Sequence, residues 1–211
     1  MQVASRFIIS AAGPEQFPPE GDPNQGSAAQ LEQAKQGWSK QEMEVAFLGR
    51  SNVGKSSLIN RLLGATGLAR ISARPGCTQS INFFQVDGGY RFVDLPGYGF
   101  AKVPKQISGQ WKALIESYLT GRRSLGLAVI VLDARRGWME KDLELRDWLT
   151  AYGRPYQVVA TKVDKLTTQK EKQLSRNALQ SAHEGILECS AETGRGVREI
   201  WQAISKIKNQ L

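Results

Sequence analysis

The segment Gly49-Arg50-Ser51-Asn52-Val53-Gly54-Lys55-Ser56 carries the spacing G-x-x-x-x-G-K-[ST]. It follows an apolar run and opens a helical pattern, which is where this arrangement works as a phosphate-binding loop. Its glycines let the backbone curl so that successive amide hydrogens face phosphate oxygens, and the following helix adds its positive end. Lys55 would meet the β- and γ-phosphates, and the Ser56 hydroxyl would ligate magnesium. Val53 and Ser57 complete the loop and the first turn. The loop alone does not choose between ATP and GTP. Asp94-Leu95-Pro96-Gly97 could hold the magnesium through the carboxylate and offer the Gly97 amide to a γ-phosphate. Thr161-Lys162-Val163-Asp164 closes a later apolar run. A fixed carboxylate at Asp164 could accept the two adjacent N–H groups of guanine, a donor pair that adenine lacks, and an unpaired buried carboxylate disfavours the wrong base. Cys189-Ser190-Ala191 could bring a backbone amide to the guanine carbonyl.

These pieces need a frame. Apolar strand-like runs at 43–48, 81–86, 90–94, 127–132, 156–160 and 186–189 alternate with helical patterns at 57–63, 105–119, 140–151, 169–182 and 197–208. Such alternation predicts an α/β domain with a mainly parallel sheet of six strands and helices on both faces. Asp87-Gly88-Gly89 reads as a hairpin turn, so one strand should run antiparallel at the edge. Every chemical segment then sits at the carboxyl end of a strand, the usual ligand-binding rim of an open α/β sheet.

Residues 11–40 are rich in Gly, Pro, Gln, Ala and Ser and lack a sustained apolar period. This composition predicts an N-terminal extension over 1–41, largely mobile, with residues 5–10 able to dock on the domain at 42–211. The longest apolar run, at 127–132, is far short of the roughly 20 residues of a membrane span. Phe7-Ile8-Ile9 is too short for a signal-peptide core, so a cytoplasmic, monomeric protein without membrane contact is expected. Cys77 and Cys189 give no disulfide framework, and His183 has no clustered companion with which to hold a metal. The net charge is +8; residues 1–42 carry three basic and five acidic groups, a balance of −2 that leaves +10 for the rest. A basic domain attracts polyanions, nucleic acid above all.

As a set, residues 42–211 resemble the Ras-like P-loop GTPases. Closer still, GRSNVGKSS at 49–57, Pro75-Gly76-Cys77-Thr78-Gln79, DLPGYGFA at 94–101 and TKVD at 161–164 are similar to the EngB-type ribosome-biogenesis family of GTP-binding proteins, also called YihA or YsxC. The resemblance implies a GTPase that binds GTP and GDP with magnesium. It extends the nucleotide contacts to Gly76, Cys77, Thr78, Gln79 and Ser80, and makes Thr78 a switch threonine that ligates magnesium beside Ser56 and Asp94. Lys55, Thr78 and Gly97 would then act on the transferred phosphate. Cys77 departs from the family, which usually has a basic residue there, so a contact made through that charge does not carry over.

Many GTPases place a water-positioning Gln just after the DxxG glycine, whereas here Tyr98 stands there, which implies slow intrinsic hydrolysis. Asn52 has two readings: a ligand for a potassium ion bridging the phosphates, as in similar cation-dependent GTPases, or a stabiliser of the loop. The stretch 97–105 looks like a second switch, with Tyr98 and Phe100 either contacting RNA or packing in the core. The family implies assembly of the large ribosomal subunit, with ribosomal RNA or a pre-ribosomal particle as partner, and a link to cell division and septation. The alternative is a signalling switch acting on protein effectors without RNA.

Overall fold

The computed structural model describes residues 3–20, 42–69, 80–98, 105–183 and 185–210, with 105–112 described as backbone only. Seven strands form one sheet: β1 (Ser5–Ala11), β2 (Met43–Gly49), β3 (Ile81–Val86), β4 (Tyr90–Asp94), β5 (Leu125–Asp133), β6 (Tyr156–Thr161) and β7 (Leu187–Glu188). Their spatial order is β1-β3-β4-β2-β5-β6-β7. Among the described residues five α-helices accompany them: α1 (Lys55–Leu63), α2 (Lys105–Gly121), α3 (Glu140–Ala151), α4 (Gln169–Gln180) and α5 (Val197–Lys208).

The helices lie on both faces, and strand periodicity explains how. In β5, Leu127, Val129 and Val131 join one buried cluster with Leu58, Leu62, Ile200 and Ile204 of α1 and α5. Their neighbours Ala128, Ile130 and Leu132 join the other, with Leu119, Leu149 and Leu179 of α2, α3 and α4. Alternate side chains of an extended strand point to opposite faces, so a run apolar at every position must be covered twice. β2 repeats the pattern: Val45 and Phe47 go one way, Ala46 and Leu48 the other. β2 pairs in parallel with both β4 and β5 at the centre of the sheet.

Two expectations about the sheet are corrected. It has seven strands rather than six, and the strand that runs against the others, β3, is not at the edge. β1 pairs antiparallel with β3 and covers its free side. Phe7 meets the Phe84 ring at 5.7 Å, and Ser10 donates to Asn82 at 2.7 Å. A β3 edge left open would expose a row of unpaired backbone groups. Beyond β1 the chain, read above as part of the extension, packs on the domain: Phe17 lies 5.8 Å from the Phe83 ring and 5.7 Å from Tyr118. Residues 21–41 lie outside the described residues. Among the described residues no helix is long and apolar enough to cross a membrane.

Candidate nucleotide site

β2 ends at Gly49, and the chain turns through Arg50–Gly54 into α1. Only glycine fits the first corner, because a Cβ on Gly49 would lie 2.7 Å from the Val131 carbonyl. Gly54 adopts φ 102° and Asn52 φ 65°, so the loop contains two left-handed residues. Gly54 caps α1 without a side chain. The first amides of the helix thus have no side-chain cap and are suited to an anion. Arg50 and Ser51 are half-buried, Asn52 is exposed, and Val53 is buried beneath the loop.

Lys55, in the first turn, is buried and forms an ion pair with Asp94 at the end of β4. Ser56 and Ser57 follow it, half-buried. Among the described residues no cluster of three or more His, Cys, Asp or Glu could hold a metal ion. The donors present, the Ser56 hydroxyl and the Asp94 carboxylate, are hard oxygens. They fit magnesium, which typically takes one or two protein oxygens and completes its shell with phosphates and water. Leu95 and Pro96 are buried, and the Leu95 amide donates to the Phe47 carbonyl at 3.2 Å. Gly97 lies against the loop so closely that a Cβ there would come 2.7 Å from Ser51 Oγ.

Thr161 closes β6 and ties two strand ends together: its hydroxyl serves both the Val53 and the Leu132 carbonyls, the latter at 2.9 Å. Lys162 takes φ 61° and reaches back to the Asn52 carbonyl, its ammonium also 3.1 Å from Asp133. Val163 is buried, and its amide donates to the Cys189 carbonyl at 3.4 Å. Asp164 is held by Ser190, whose hydroxyl donates to it at 2.6 Å. That bond, with Lys165 beside it, keeps the Asp164 carboxyl below its usual range. Cys189 and Ser190 are fully buried, with Ala191 half-buried after them. Burial pushes the Cys189 thiol up to about 11, and this cysteine behaves as core. Ser80 hydrogen-bonds with Ser10 at the β1–β3 edge. Gly76, Cys77, Thr78 and Gln79, like 99–104 of the expected second switch, lie outside the described residues.

Residues 44–162 match the family model described as 50S ribosome-binding GTPase. The chain is 49% identical over 201 residues to the probable GTP-binding protein EngB of Solibacter usitatus, covering 95% of this chain and 94% of that one. It is 42% identical over 217 residues to the probable GTP-binding protein EngB of Acidobacterium capsulatum, covering 98% and 92%. The chain belongs to the EngB family. A crystal structure of a probable EngB GTP-binding protein superimposes with a TM-score of 0.63 at 26% identity, covering 80% of this chain and all of that one. The protein is therefore a P-loop GTPase.

Three features of this EngB-family site escape a reading of the motifs. Asp133, at the end of β5, is buried and bound by Arg135 at 2.6 and 2.9 Å. Burial alone would raise its carboxyl, but Arg135 and Lys162 outweigh it and hold the group at about 2. The available signal was an acid closing the apolar run at 127–132. Ser190 acts through its hydroxyl on Asp164, whereas the sequence suggested a role for the backbone of its segment. Tyr98 packs on the core and donates its hydroxyl to Asp142 of α3 at 2.8 Å. Of the two readings of Tyr98, the structure favours packing over RNA contact; Phe100 lies outside the described residues.

Proposed function

We propose that the protein binds GTP with magnesium along this rim and acts as a nucleotide-gated switch in assembly of the large ribosomal subunit. The observation that carries the reading is the Lys55–Asp94 pair beneath the loop amides. Two opposite buried charges at the mouth of a phosphate cradle suit a ligand that brings a counter-charge for each. With nucleotide bound, Lys55 would meet the β- and γ-phosphates, and Asp94 and Ser56 would hold the cation. Bound magnesium would neutralise charge on the β- and γ-phosphate oxygens. By the family resemblance Thr78 would also help to hold it in the GTP state, and Gly97 would give its amide to the γ-phosphate. Asp164, kept ionised and aimed by Ser190, accepts from guanine. Thr161 and Lys162 couple base recognition to the loop.

Hydrolysis is slow by this account, because the Tyr98 hydroxyl is engaged with Asp142 and does not orient water. Turnover in potassium against sodium separates the two readings of Asn52: equal rates assign it to the loop. The description of the matched family and the basic domain support a ribosomal partner. The test is to load the protein with a non-hydrolysable GTP analogue or with GDP and sediment each form with large ribosomal subunits across a salt series. Association favoured by the analogue and lost steeply with salt is expected. Association with neither form would leave a GTPase acting on protein effectors.

A further inference from the structure

We infer that Asp142, in the first turn of α3 and outside every nucleotide motif, positions the Gly97 amide for the γ-phosphate through the Tyr98 hydroxyl. The inference rests on the proposed function, since it takes Gly97 to meet the terminal phosphate.

Tyr98 is held at two ends. On its backbone side it forms a parallel bridge with Arg50, and its amide donates to the Gly49 carbonyl at 3.4 Å. That distance is near the limit of a hydrogen bond, so this contact fixes the segment weakly. The firmer anchor is the side chain, whose phenol donates to Asp142 Oδ1 at 2.8 Å. Asp142 is itself a rigid post: it is 2% exposed, and its Oδ2 accepts the Met139 amide at 3.0 Å. Burial keeps the phenol protonated and able to donate, an effect reinforced by Asp142 and opposed by Arg50.

Gly97 immediately precedes Tyr98 in the chain and packs against the loop at Ser51. A Cβ on Gly97 would lie 2.7 Å from Ser51 Oγ, so only a glycine lets the backbone run this close to the loop. A small rotation at Tyr98 would move the Gly97 amide relative to the loop, and a displaced donor contributes little to an anion. Only GTP carries the phosphate that this amide meets; GDP is held by the Gly49–Ser56 loop and by Asp164. The latch therefore acts on discrimination between the two nucleotides. Plain packing of Tyr98 would instead alter stability, or both affinities together.

The test is titration of a fluorescent non-hydrolysable GTP analogue and of fluorescent GDP into wild type, Tyr98→Phe, Asp142→Ala and the double variant, with magnesium present. Tyr98→Phe keeps the ring and removes one hydrogen bond to a carboxylate, so the analogue should bind about tenfold more weakly while GDP stays within about twofold. Asp142→Ala should do the same, and the double variant should bind the analogue no more weakly than Asp142→Ala alone. Should Asp142→Ala fail to fold, because it also strips a cap of α3, Tyr98→Phe decides alone. Equal weakening of both nucleotides, no weakening, or additive losses overturn the inference and leave the nucleotide site standing. Wild-type protein that binds neither nucleotide overturns the proposed function itself.

Discussion

β4 has a buried charge near each end, Arg91 and Asp94, and the clusters built on the two differ in how completely they are closed. At the carboxyl end, the Lys55 ammonium can donate three hydrogens, yet among the described residues it finds one side-chain partner, Asp94. At the amino end, Glu44 is fully buried and surrounded. It accepts from Arg91 at 2.8 Å, from Tyr118 at 2.9 Å and twice from Arg122. Arg91 also binds Glu42 at 2.6 Å, and Arg122 reaches the Pro18 carbonyl at 2.8 Å. Burial alone would raise the Glu44 carboxyl, but Arg122 and then Arg91 bring it below the usual range. A buried charge with all its lone pairs satisfied inside the protein holds the fold together. One with fewer partners, beside helix amides that no side chain caps, suits the ligand-binding role proposed for it.

The largest expected effect tests the closed end. Glu44→Ala leaves two buried guanidiniums and the Tyr118 hydroxyl facing a cavity, so unfolding in urea should show a loss of about 3–5 kcal/mol. Affinity of the folded fraction for GDP should not change, because this end of the strands lies opposite the rim proposed to bind the nucleotide. A loss of nucleotide affinity with stability kept would break the comparison, since it would make the closed cluster part of the site.

Asp164→Asn tests the open end through its base contact. An asparagine keeps an acceptor for the Ser190 hydroxyl but turns an amide donor toward the 2-amino group of guanine, donor against donor. GTP affinity should fall about 100-fold, as two hydrogen bonds to a charged group are lost. Xanthosine triphosphate, which has a carbonyl at that position, should gain relative to GTP. Competition against fluorescent GDP reads both, and an unchanged ratio would remove Asp164 from base recognition.

The two ends were unequally legible in the sequence. The loop at 49–56 and the segment at 161–164 are contiguous, and their chemistry depends on backbone shape and on one side chain each, which short spacing encodes. The Glu44 cluster is assembled from residues 47 and 78 positions apart, Arg91 and Arg122. No local period links them, and each arginine reads singly as a solvated charge. Tyr98 and Asp142, 44 positions apart, share that fate. The edge strand was hard to place for a related reason: Arg6-Phe7-Ile8-Ile9 has strand character, but its partner at 81–86 lies beyond both the stretch at 11–40 and the whole of β2 and α1. Helices and central strands were readable because their apolar periods are local and long. The order of the strands was readable only as a class, since alternation predicts parallel neighbours and does not number them.

A smaller effect, in acid, sharpens the boundary between the two kinds of cluster. Asp133 sits on the ligand rim, yet Arg135 and Lys162 already satisfy it. By the partner argument it should contribute to the fold as Glu44 does, though less, because Arg135 is half in solvent and screened there. Its carboxyl lies at about 2 in the folded chain, below the ordinary 3.8. A depressed carboxylate stabilises the fold above its unfolded value, and the contribution is lost as pH falls from about 4 toward 2. Wild type should therefore lose at most about 1 kcal/mol relative to Asp133→Asn between pH 5 and pH 3, read by urea unfolding at each pH. Parallel stability curves for the two proteins would mean that Arg135 and Lys162 do not hold Asp133.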